Sequence, residues 1–226
     1  MLTYSSVSVH YGGLPVLMDI SLSVAEGECV AIFGHNGAGK TTLLKCSVGD
    51  IEGVTGTVSY RGEAVVEGAV FRNARRGIGL VPQGHNVFRQ LTVRQNLAVA
   101  GLNFPGGALS DVYRLFPVLE QRGGQIAGSL SGGQQQILAL GMSLMTKPSI
   151  LLLDEPSTGL APVIVNDVME SLRQINRSGT TIVIVEQNIP ATLKIAGRAI
   201  VLKAGRTVFD GASKELERKE DLWAWF

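Results

Sequence analysis

The sequence predicts an α/β fold in which a mostly parallel sheet is covered by helices on both faces. Short β-rich runs recur along the chain, and most are separated by segments with helical spacing of their apolar residues. Hydrophobic residues make up 45% of the 226 residues, which is enough apolar material for one sizeable domain. These observations indicate a single folded unit with room for a small additional lobe.

The N-terminal third predicts strands followed by a helix. Leu2 to His10 alternates apolar and polar residues, as a half-buried strand does, and Ile20 to Val24 continues this style. The run from Glu28 to Phe33 is short and apolar and stops at a glycine, as a buried strand would. Lys40 to Val48 then follows helical spacing, so a strand, a glycine-rich loop and a helix succeed one another.

The middle of the chain predicts two short strands and three helices. The strands are Thr55–Tyr60, before a turn at 61–63, and Ile78–Val81; the helices are Thr92–Ala100, Leu109–Glu120 and Ser131–Met145, the first two separated by the breaker stretch Phe104–Gly107. Because residues from about 83 to 147 are mostly helical, we expect them to form a helical lobe. Residues of about 1–82 and 148–226 would form the core of the same single domain.

The C-terminal third returns to alternating strands and helices. Ile150–Leu153 and Thr180–Val185 are β-rich runs on either side of a helical segment from about Val163 to Asn176. The printed sequence ends with the aromatic stretch Leu222–Phe226. We expect this stretch to fold back on its own domain, although contact with a partner subunit or a membrane face is the alternative.

Composition excludes several classes of function. The 20 basic and 19 acidic residues nearly balance, so nucleic acid is not the expected main partner. The two cysteines, Cys29 and Cys46, fit neither a disulfide framework nor a metal site. No apolar run is long enough to span a bilayer, and no signal peptide is visible. We therefore expect a soluble cytoplasmic chain, whose action at a membrane would require docking.

One glycine-rich loop carries the pattern of a phosphate-binding loop. The stretch G-H-N-G-A-G-K-T fits G-x-x-x-x-G-K-[ST] and lies between a predicted strand and a predicted helix. Curled amide groups and the helix N-terminus would surround phosphate oxygens, Lys40 would contact the β- and γ-phosphates, and Thr41 could bind Mg²⁺. An accidental glycine-rich turn is the disfavoured alternative. The candidate ATP-binding residues are Gly34, His35, Asn36, Gly37, Ala38, Gly39, Lys40, Thr41 and Thr42.

Two acids follow the strand predicted at Ile150–Leu153. Asp154 stands where a phosphate-loop nucleotidase holds Mg²⁺ with a carboxylate, and Glu155 could act as general base toward a water. Alone, the pair would more often be two solvated acids at a strand end. The phosphate loop upstream makes the functional interpretation the better one.

A third motif, Leu130-Ser-Gly-Gly-Gln134, completes a set that resembles the ABC ATPase family across nearly the whole chain. The resemblance implies a P-loop NTPase (RecA-like) core with a mostly parallel sheet, an N-terminal antiparallel β subdomain and a helical lobe. It also implies that Ser131, Gly132, Gly133 and Gln134 bind ATP in trans, on the phosphate loop of a second cassette. An ordinary capped helix start is the alternative, but it would not need the paired glycines.

The resemblance extends to two further positions. Tyr11 resembles the aromatic residue that stacks on adenine in this family, with packing in the core as the alternative. Gln83, which follows Val81 and Pro82, resembles the glutamine that senses Mg²⁺ and the attacking water. In the family, the segment around that glutamine also links the nucleotide site to the membrane subunit.

The chain departs from the family pattern at two positions. Gln187 stands where the family usually has a histidine that contacts the γ-phosphate, and Ala161 stands where many cassettes have an aspartate. Glutamine donates a hydrogen bond but cannot become cationic near neutral pH. We keep Gln187 as a candidate catalytic residue and expect slow hydrolysis at this site; a module that senses ATP without hydrolysing it stays open.

The chain resembles one subfamily, the second ATPase subunit of branched-chain (hydrophobic) amino acid importers. The resemblance rests on these two departures and on the stretches from Val81 to Val93 and from Ser157 to Pro162. The resemblance implies ATP and Mg²⁺ as ligands and a second ABC ATPase subunit, the same or different, as partner. It also implies transmembrane permeases, an indirect periplasmic binding protein and a place on the inner face of the cell membrane. Importers of urea or short amides, an exporter and a non-transport ABC ATPase are the alternatives.

Overall fold

The computed structural model describes residues 1–84, 86–104 and 109–217. The strands in chain order are β1 (Leu2–Tyr11), β2 (Leu14–Val24), β3 (Cys29–Phe33), β4 (Thr55–Tyr60), β5 (Glu63–Ala64), β6 (Ile78–Val81), β7 (Ile150–Asp154), β8 (Thr181–Glu186), β9 (Arg198–Lys203) and β10 (Arg206–Ala212). The helices are α1 (Lys40–Val48), α2 (Val70–Arg75), α3 (Val93–Gly101), α4 (Leu109–Leu115), α5 (Pro117–Gln121), α6 (Gly132–Leu144), α7 (Pro162–Arg177), α8 (Ile189–Leu193) and α9 (Ser213–Glu217), with a 3₁₀ turn at Ala127–Ser129.

The larger sheet has the strand order β10-β9-β3-β8-β7-β6. Its strands pair in parallel except β10, which pairs antiparallel with β9. Every residue of β3, β7 and β8 is buried, which is why these strands read as continuous apolar runs and not as alternating ones. The predicted α/β class with a mostly parallel sheet is confirmed.

The smaller sheet is antiparallel, with the order β2-β1-β4-β5. Strand β1 buries alternate residues, and bulges shift its register against β2, so that Tyr11 finally pairs with Leu14. Leu17 and Ile20 of β2 lie in the same apolar cluster as residues of α1 and of the larger sheet. The antiparallel sheet is therefore packed on the core, as the family resemblance implied.

Helices α3 to α6 pack closely around a glycine of α6. A methyl group added at Gly141 would lie 2.9 to 3.2 Å from side-chain atoms of Leu119, Val112 and Leu97, which belong to α5, α4 and α3. A larger residue at this position would force these side chains to shift. Among the described residues, none of the helices combines the length and apolar character needed to cross a membrane.

Several sequence predictions differ from the structure. The helix expected over Leu109–Glu120 is two helices, because Pro117 lacks an N–H and begins α5 after Phe116. Strands β5, β9 and β10 and helices α2, α8 and α9 were not predicted, and Glu63, expected in the turn at 61–63, begins β5. Strand β2 also starts earlier than predicted, at Leu14. Residues 105–107 of the breaker stretch and residues 222–226, which include the three aromatic residues, lie outside the described residues.

Candidate functional site

The glycine-rich loop joins β3 to α1. At two of its glycines a side chain would clash with neighbouring residues. A Cβ atom at Gly34 would lie 2.5 Å from the carbonyl oxygen of Leu202 in β9. Gly39 has a φ of 101°, and a Cβ atom there would lie 2.6 Å from Leu17 Cδ2 and 2.9 Å from the Val16 carbonyl oxygen. The loop is therefore pressed against β9 and β2, so that only glycine fits at these two positions.

Lys40 is the first residue of α1, and its side chain folds back over the loop. The Nζ atom donates hydrogen bonds to the carbonyl oxygens of Gly34 at 2.7 Å and His35 at 3.3 Å. It also lies 3.5 Å from Glu155 Oε1 in a buried ion pair. Thus the ammonium group lies where the curled loop and the strand end β7 meet.

Glu155 lies just beyond β7 and is the centre of a dense set of hydrogen bonds. It is 8% exposed, has a φ of 48°, and its N–H donates to the Val185 carbonyl at 2.9 Å. Oε2 accepts from Gln83 Nε2 at 2.9 Å and from Thr158 Oγ1 at 3.1 Å, and Oε1 accepts from Gln187 Nε2 at 2.7 Å. The positive φ of Glu155 is a strained conformation, and the hydrogen bonds to both carboxylate oxygens help to hold it.

Gln187 links this carboxylate to the phosphate loop. Its Nε2 atom donates to Glu155 Oε1 and also, at 2.8 Å, to Asn36 Oδ1. The structure thus brings together three residues predicted as catalytic, Gln83, Glu155 and Gln187, with the lysine of the loop. A glutamine amide carries two hydrogens and can serve both acceptors at once.

Asp154, the last residue of β7, is 4% exposed. Burial raises the pKa of its carboxyl above the ordinary value, while a hydrogen bond from Thr41 lowers it and the charge of Glu155 raises it further. Its Oδ1 atom is buried and has no hydrogen-bond partner within the described residues. A buried carboxylate oxygen without a partner, beside a threonine hydroxyl, fits a Mg²⁺ ion as ligand.

Asp154→Asn is expected to raise the melting temperature of the nucleotide-free chain by roughly 2 °C. A carboxyl whose pKa is raised stabilises the fold only when protonated, so its charge costs stability as the pH rises through the raised pKa. The gain should therefore grow from acid to neutral pH in thermal scans. The exposed Asp167 in α7 gives a matched control, Asp167→Asn. A lower melting temperature for Asp154→Asn at neutral pH would contradict the expectation.

A cavity of about 610 Å³ opens over the loop and Glu155. Its size suits a small ligand such as a nucleotide phosphate chain. The lining residues come from the start of β2, the phosphate loop and the ends of β6, β7 and β8: Val16, Asn36, Gly37, Gly39, Lys40, Thr41, Thr42, Gln83, Glu155, Thr158 and Gln187.

Tyr11 is not among the residues that line this cavity. It lies at the end of β1 and is 48% exposed, which excludes the alternative that its ring packs in the core. The return strand β2 brings Val16 to the cavity wall, so the hairpin that carries Tyr11 borders the site.

The residues from Ser131 to Gln134 form the capped start of α6. The Ser131 hydroxyl accepts from the Gln134 N–H at 3.4 Å, and the Gln134 side chain accepts from the Ser131 N–H at 3.1 Å. A Cβ atom at Gly133 would lie 2.6 Å from Ile164 Cγ2 of α7, so this glycine is needed for packing. None of these residues lines the cavity over the phosphate loop, whereas Gly132 is exposed to solvent.

Sequence reasoning missed Thr158 as part of the site. Its hydroxyl donates to Glu155, and its N–H donates to the Glu155 carbonyl at 3.2 Å in the turn after β7. A threonine three residues after the second acid of a strand-end pair is the only local signal, and many turns have the same pattern.

Residues 17–158 match the family model described as "ABC transporter". The chain is 44% identical over 212 residues to the high-affinity branched-chain amino acid transport ATP-binding protein BraG of Pseudomonas aeruginosa, covering 92% of this chain and 91% of that protein. It is 36% identical over 222 residues to the Nod factor export ATP-binding protein I of Burkholderia lata, covering 96% of this chain and 72% of the relative.

A solved structure of an ATP-binding cassette is also similar to this chain. The chain resembles the ATP-binding cassette MJ0796, solved as a dimer in a post-hydrolysis state bound to ADP and Pi, with a TM-score of 0.81 and 25% identity. The match covers 94% of this chain and 99% of the cassette. The fold, the site and these matches define an ATP-binding cassette. The chain belongs to the ABC transporter family as an ATP-binding, ATPase subunit.

Proposed function

We propose that this chain hydrolyses ATP on its phosphate loop to drive an importer of branched-chain or other hydrophobic amino acids. The observation that carries the proposal is the convergence of Lys40, Gln83 and Gln187 on the Glu155 carboxylate beside the loop. The substrate class rests on the relative named for branched-chain amino acid transport, which is 44% identical over most of both chains.

The chain's own residues divide the work of hydrolysis. The loop amides and Lys40 bind the phosphates, for which Lys40 exchanges the carbonyls of Gly34 and His35 for phosphate oxygens. Glu155 then accepts a proton from the water that attacks the γ-phosphate, and Gln83 orients that water. Thr41, Asp154 and Gln83 would hold Mg²⁺, which when bound neutralises charge on the β- and γ-phosphates.

The residues Ser131, Gly132, Gly133 and Gln134 serve a second cassette in this proposal. Ser131 and Gly132 are exposed at the N-terminus of α6, none of the four residues lines the chain's own cavity, and a helix N-terminus favours phosphate. Two cassettes arranged head to tail would each supply this segment to the ATP on the other. Tyr11, exposed beside the cavity, would stack on the adenine ring.

An apolar groove next to the site offers a place for a permease. Its volume is about 620 Å³, and residues of α2, β6, α3 and α6 line it. Phe71 is 54% exposed there and packs edge-on against Phe104, with ring centroids 6.2 Å apart. Pro82 in the wall directly precedes Gln83, which contacts Glu155. A cytoplasmic segment of a transmembrane permease docked here would therefore sense the nucleotide site, on the inner face of the membrane. A periplasmic binding protein would contact only the permeases.

Phe71→Glu is expected to remove the stimulation of ATPase activity by the transmembrane permeases of the proposed transport assembly, because a charge would enter the apolar groove. Activity without permeases should persist. The matched control is Val208→Glu on β10, since Val208 is also exposed but lies at the opposite edge of the larger sheet. Full stimulation of Phe71→Glu in reconstituted membranes would place docking elsewhere. Failure of the wild-type chain to respond to any permease would contradict the transport role.

Gln187→His is expected to raise kcat of this chain's own site by roughly tenfold. Histidine can carry positive charge near the γ-phosphate, whereas glutamine cannot. The measurement is phosphate release in the assembled complex, with the partner cassette's own site inactivated. An unchanged rate would count against the idea that Gln187 makes the site slow.

The second candidate is an exporter subunit, which the similarity to the Nod factor export protein favours. Both candidates use the same nucleotide chemistry and differ in the permease and in the direction of transport. Uptake of labelled leucine into proteoliposomes that contain the whole assembly and the binding protein would decide between them. ATP-dependent release without uptake would support export.

A further inference from the structure

A second acid, Glu186, lies beside the site and is absent from the mechanism above. It is the last residue of β8 and is 1% exposed. Its carboxylate accepts three backbone N–H groups, from Ser157 at 2.8 Å, Gln187 at 3.0 Å and Asn188 at 3.3 Å. Amide groups that converge on a buried carboxylate compensate its charge without a cation.

These three amides belong to two different loops at the same edge of the sheet. Strands β7 and β8 are neighbours, with Asp154 opposite Val185. The loop after β7 carries Glu155 and, two residues later, Ser157, while the loop after β8 begins with Gln187. The Glu186 carboxylate therefore connects the backbones of these two loops. The same two loops carry Gln187 and Glu155, whose side chains form the 2.7 Å hydrogen bond.

We propose that Glu186 is a positioning residue that acts through Gln187, a role that rests on the function proposed above. Its carboxylate is buried and its oxygens already accept three amides, so it does not reach the cavity. By fixing the N–H of Gln187, it sets the direction of that side chain toward Glu155 and Asn36. Small displacements of such a group reduce turnover strongly, since the reacting groups need close alignment.

The first arm of the test compares Glu186→Gln with a matched control. A glutamine keeps the volume but has only one oxygen, so one loop loses its acceptor. We expect kcat of the ATP-hydrolysing assembly to fall roughly tenfold, with KM for ATP unchanged. The control is Glu28→Gln, because the Glu28 carboxylate also accepts a backbone N–H, from Ala25 at 2.8 Å, but at the opposite end of β3. It should affect the melting temperature only.

The second arm is a double-mutant cycle with Gln187→Ala. If Glu186 acts through Gln187, Glu186→Gln causes no further loss of kcat once the Gln187 side chain is gone. Hydrogen exchange of the chain alone provides a readout without turnover: in Glu186→Gln the amide that loses its acceptor, that of Ser157 or that of Gln187, should exchange faster, while those of β3 do not change. Glu186→Asp, which keeps the charge on a shorter side chain, should give an intermediate kcat.

Three results would overturn the inference: an unchanged kcat in Glu186→Gln, a loss that is equally large with and without Gln187, or an equal loss in Glu28→Gln. If Glu186→Gln fails to fold, the same cycle is run with Glu186→Asp. The cycle does not include Glu155. Full turnover of a Glu155→Gln variant would contradict the proposed general base. The coupling of Glu186 to Gln187 would still be tested by the cycle alone.

Discussion

Glu155→Gln is expected to lower kcat for ATP by at least about 100-fold while nucleotide still binds. A glutamine has nearly the same shape, but it cannot accept a proton from water. Its amide group would also face the donors Gln83, Thr158 and Gln187, which all point at the present carboxylate. Phosphate release and binding of a fluorescent ATP analogue, measured on the same preparation, check both halves of the expectation.

The same variant should hold the two cassettes together when MgATP is present. Without hydrolysis the nucleotides stay between the subunits, so a complex with the partner cassette should persist in size-exclusion chromatography. Glu170→Gln on the exposed face of α7 is the matched control, since its carboxylate pairs with Arg173 at the surface, at 2.8 Å. Turnover at the rate of the wild type would remove Glu155 from the role of base.

Much of this site could be predicted from sequence because its chemistry is local. The phosphate loop needs fixed spacing, since Gly34 and Gly39 must approach β9 and β2 and Lys40 must start a helix. Asp154 and Glu155 follow a run of four apolar residues, and the carboxyl end of a buried parallel strand is where ligands meet α/β sheets.

The contacts that sequence could not supply join distant parts of the chain. Glu186 and Ser157 are 29 positions apart, and their hydrogen bond exists only because β7 and β8 are neighbours in the sheet. A glutamate at the end of an apolar strand otherwise predicts a solvated acid. The groove at Phe71 could not be predicted for the same reason. An aromatic residue in a short helix suggests packing in the core until the positions of the surrounding helices are known, and Phe71 is exposed.

The errors in secondary structure have two different origins. Leu109 to Glu120 keeps helical spacing across Pro117, and the periodicity alone hides the break. Strands β9 and β10 were missed although Ala199–Leu202 is apolar. The two strands pair with each other across the turn at Ala204 and Gly205, and β9 also pairs with β3, which is far away in the sequence. The first error is local, since the proline itself interrupts the helix, whereas tertiary partners and not local propensity decide the second.

Lys40→Ala is expected to weaken MgATP binding by at least about 100-fold and to remove ATPase activity. Each charge-assisted hydrogen bond contributes roughly 1.5–3 kcal/mol, and a tenfold change in affinity corresponds to about 1.4 kcal/mol. The matched control is Lys45→Ala, five residues further along α1, where the half-buried lysine pairs with Asp50 at 3.7 Å. Isothermal titration with a slowly hydrolysed ATP analogue measures the affinity of both variants.

The nucleotide-free protein should also respond to Lys40→Ala, and this second effect tests the buried ion pair itself. Removing the ammonium group leaves the carboxylate of Glu155 buried at 8% exposure with only neutral donors, so the melting temperature should fall. Adding Glu155→Gln to Lys40→Ala should restore part of that loss, because the unpaired charge disappears. If Lys40→Ala bound MgATP as the wild type does, the loop would not be the phosphate site; if the double variant recovered nothing, the 3.5 Å contact would not be an energetically coupled pair.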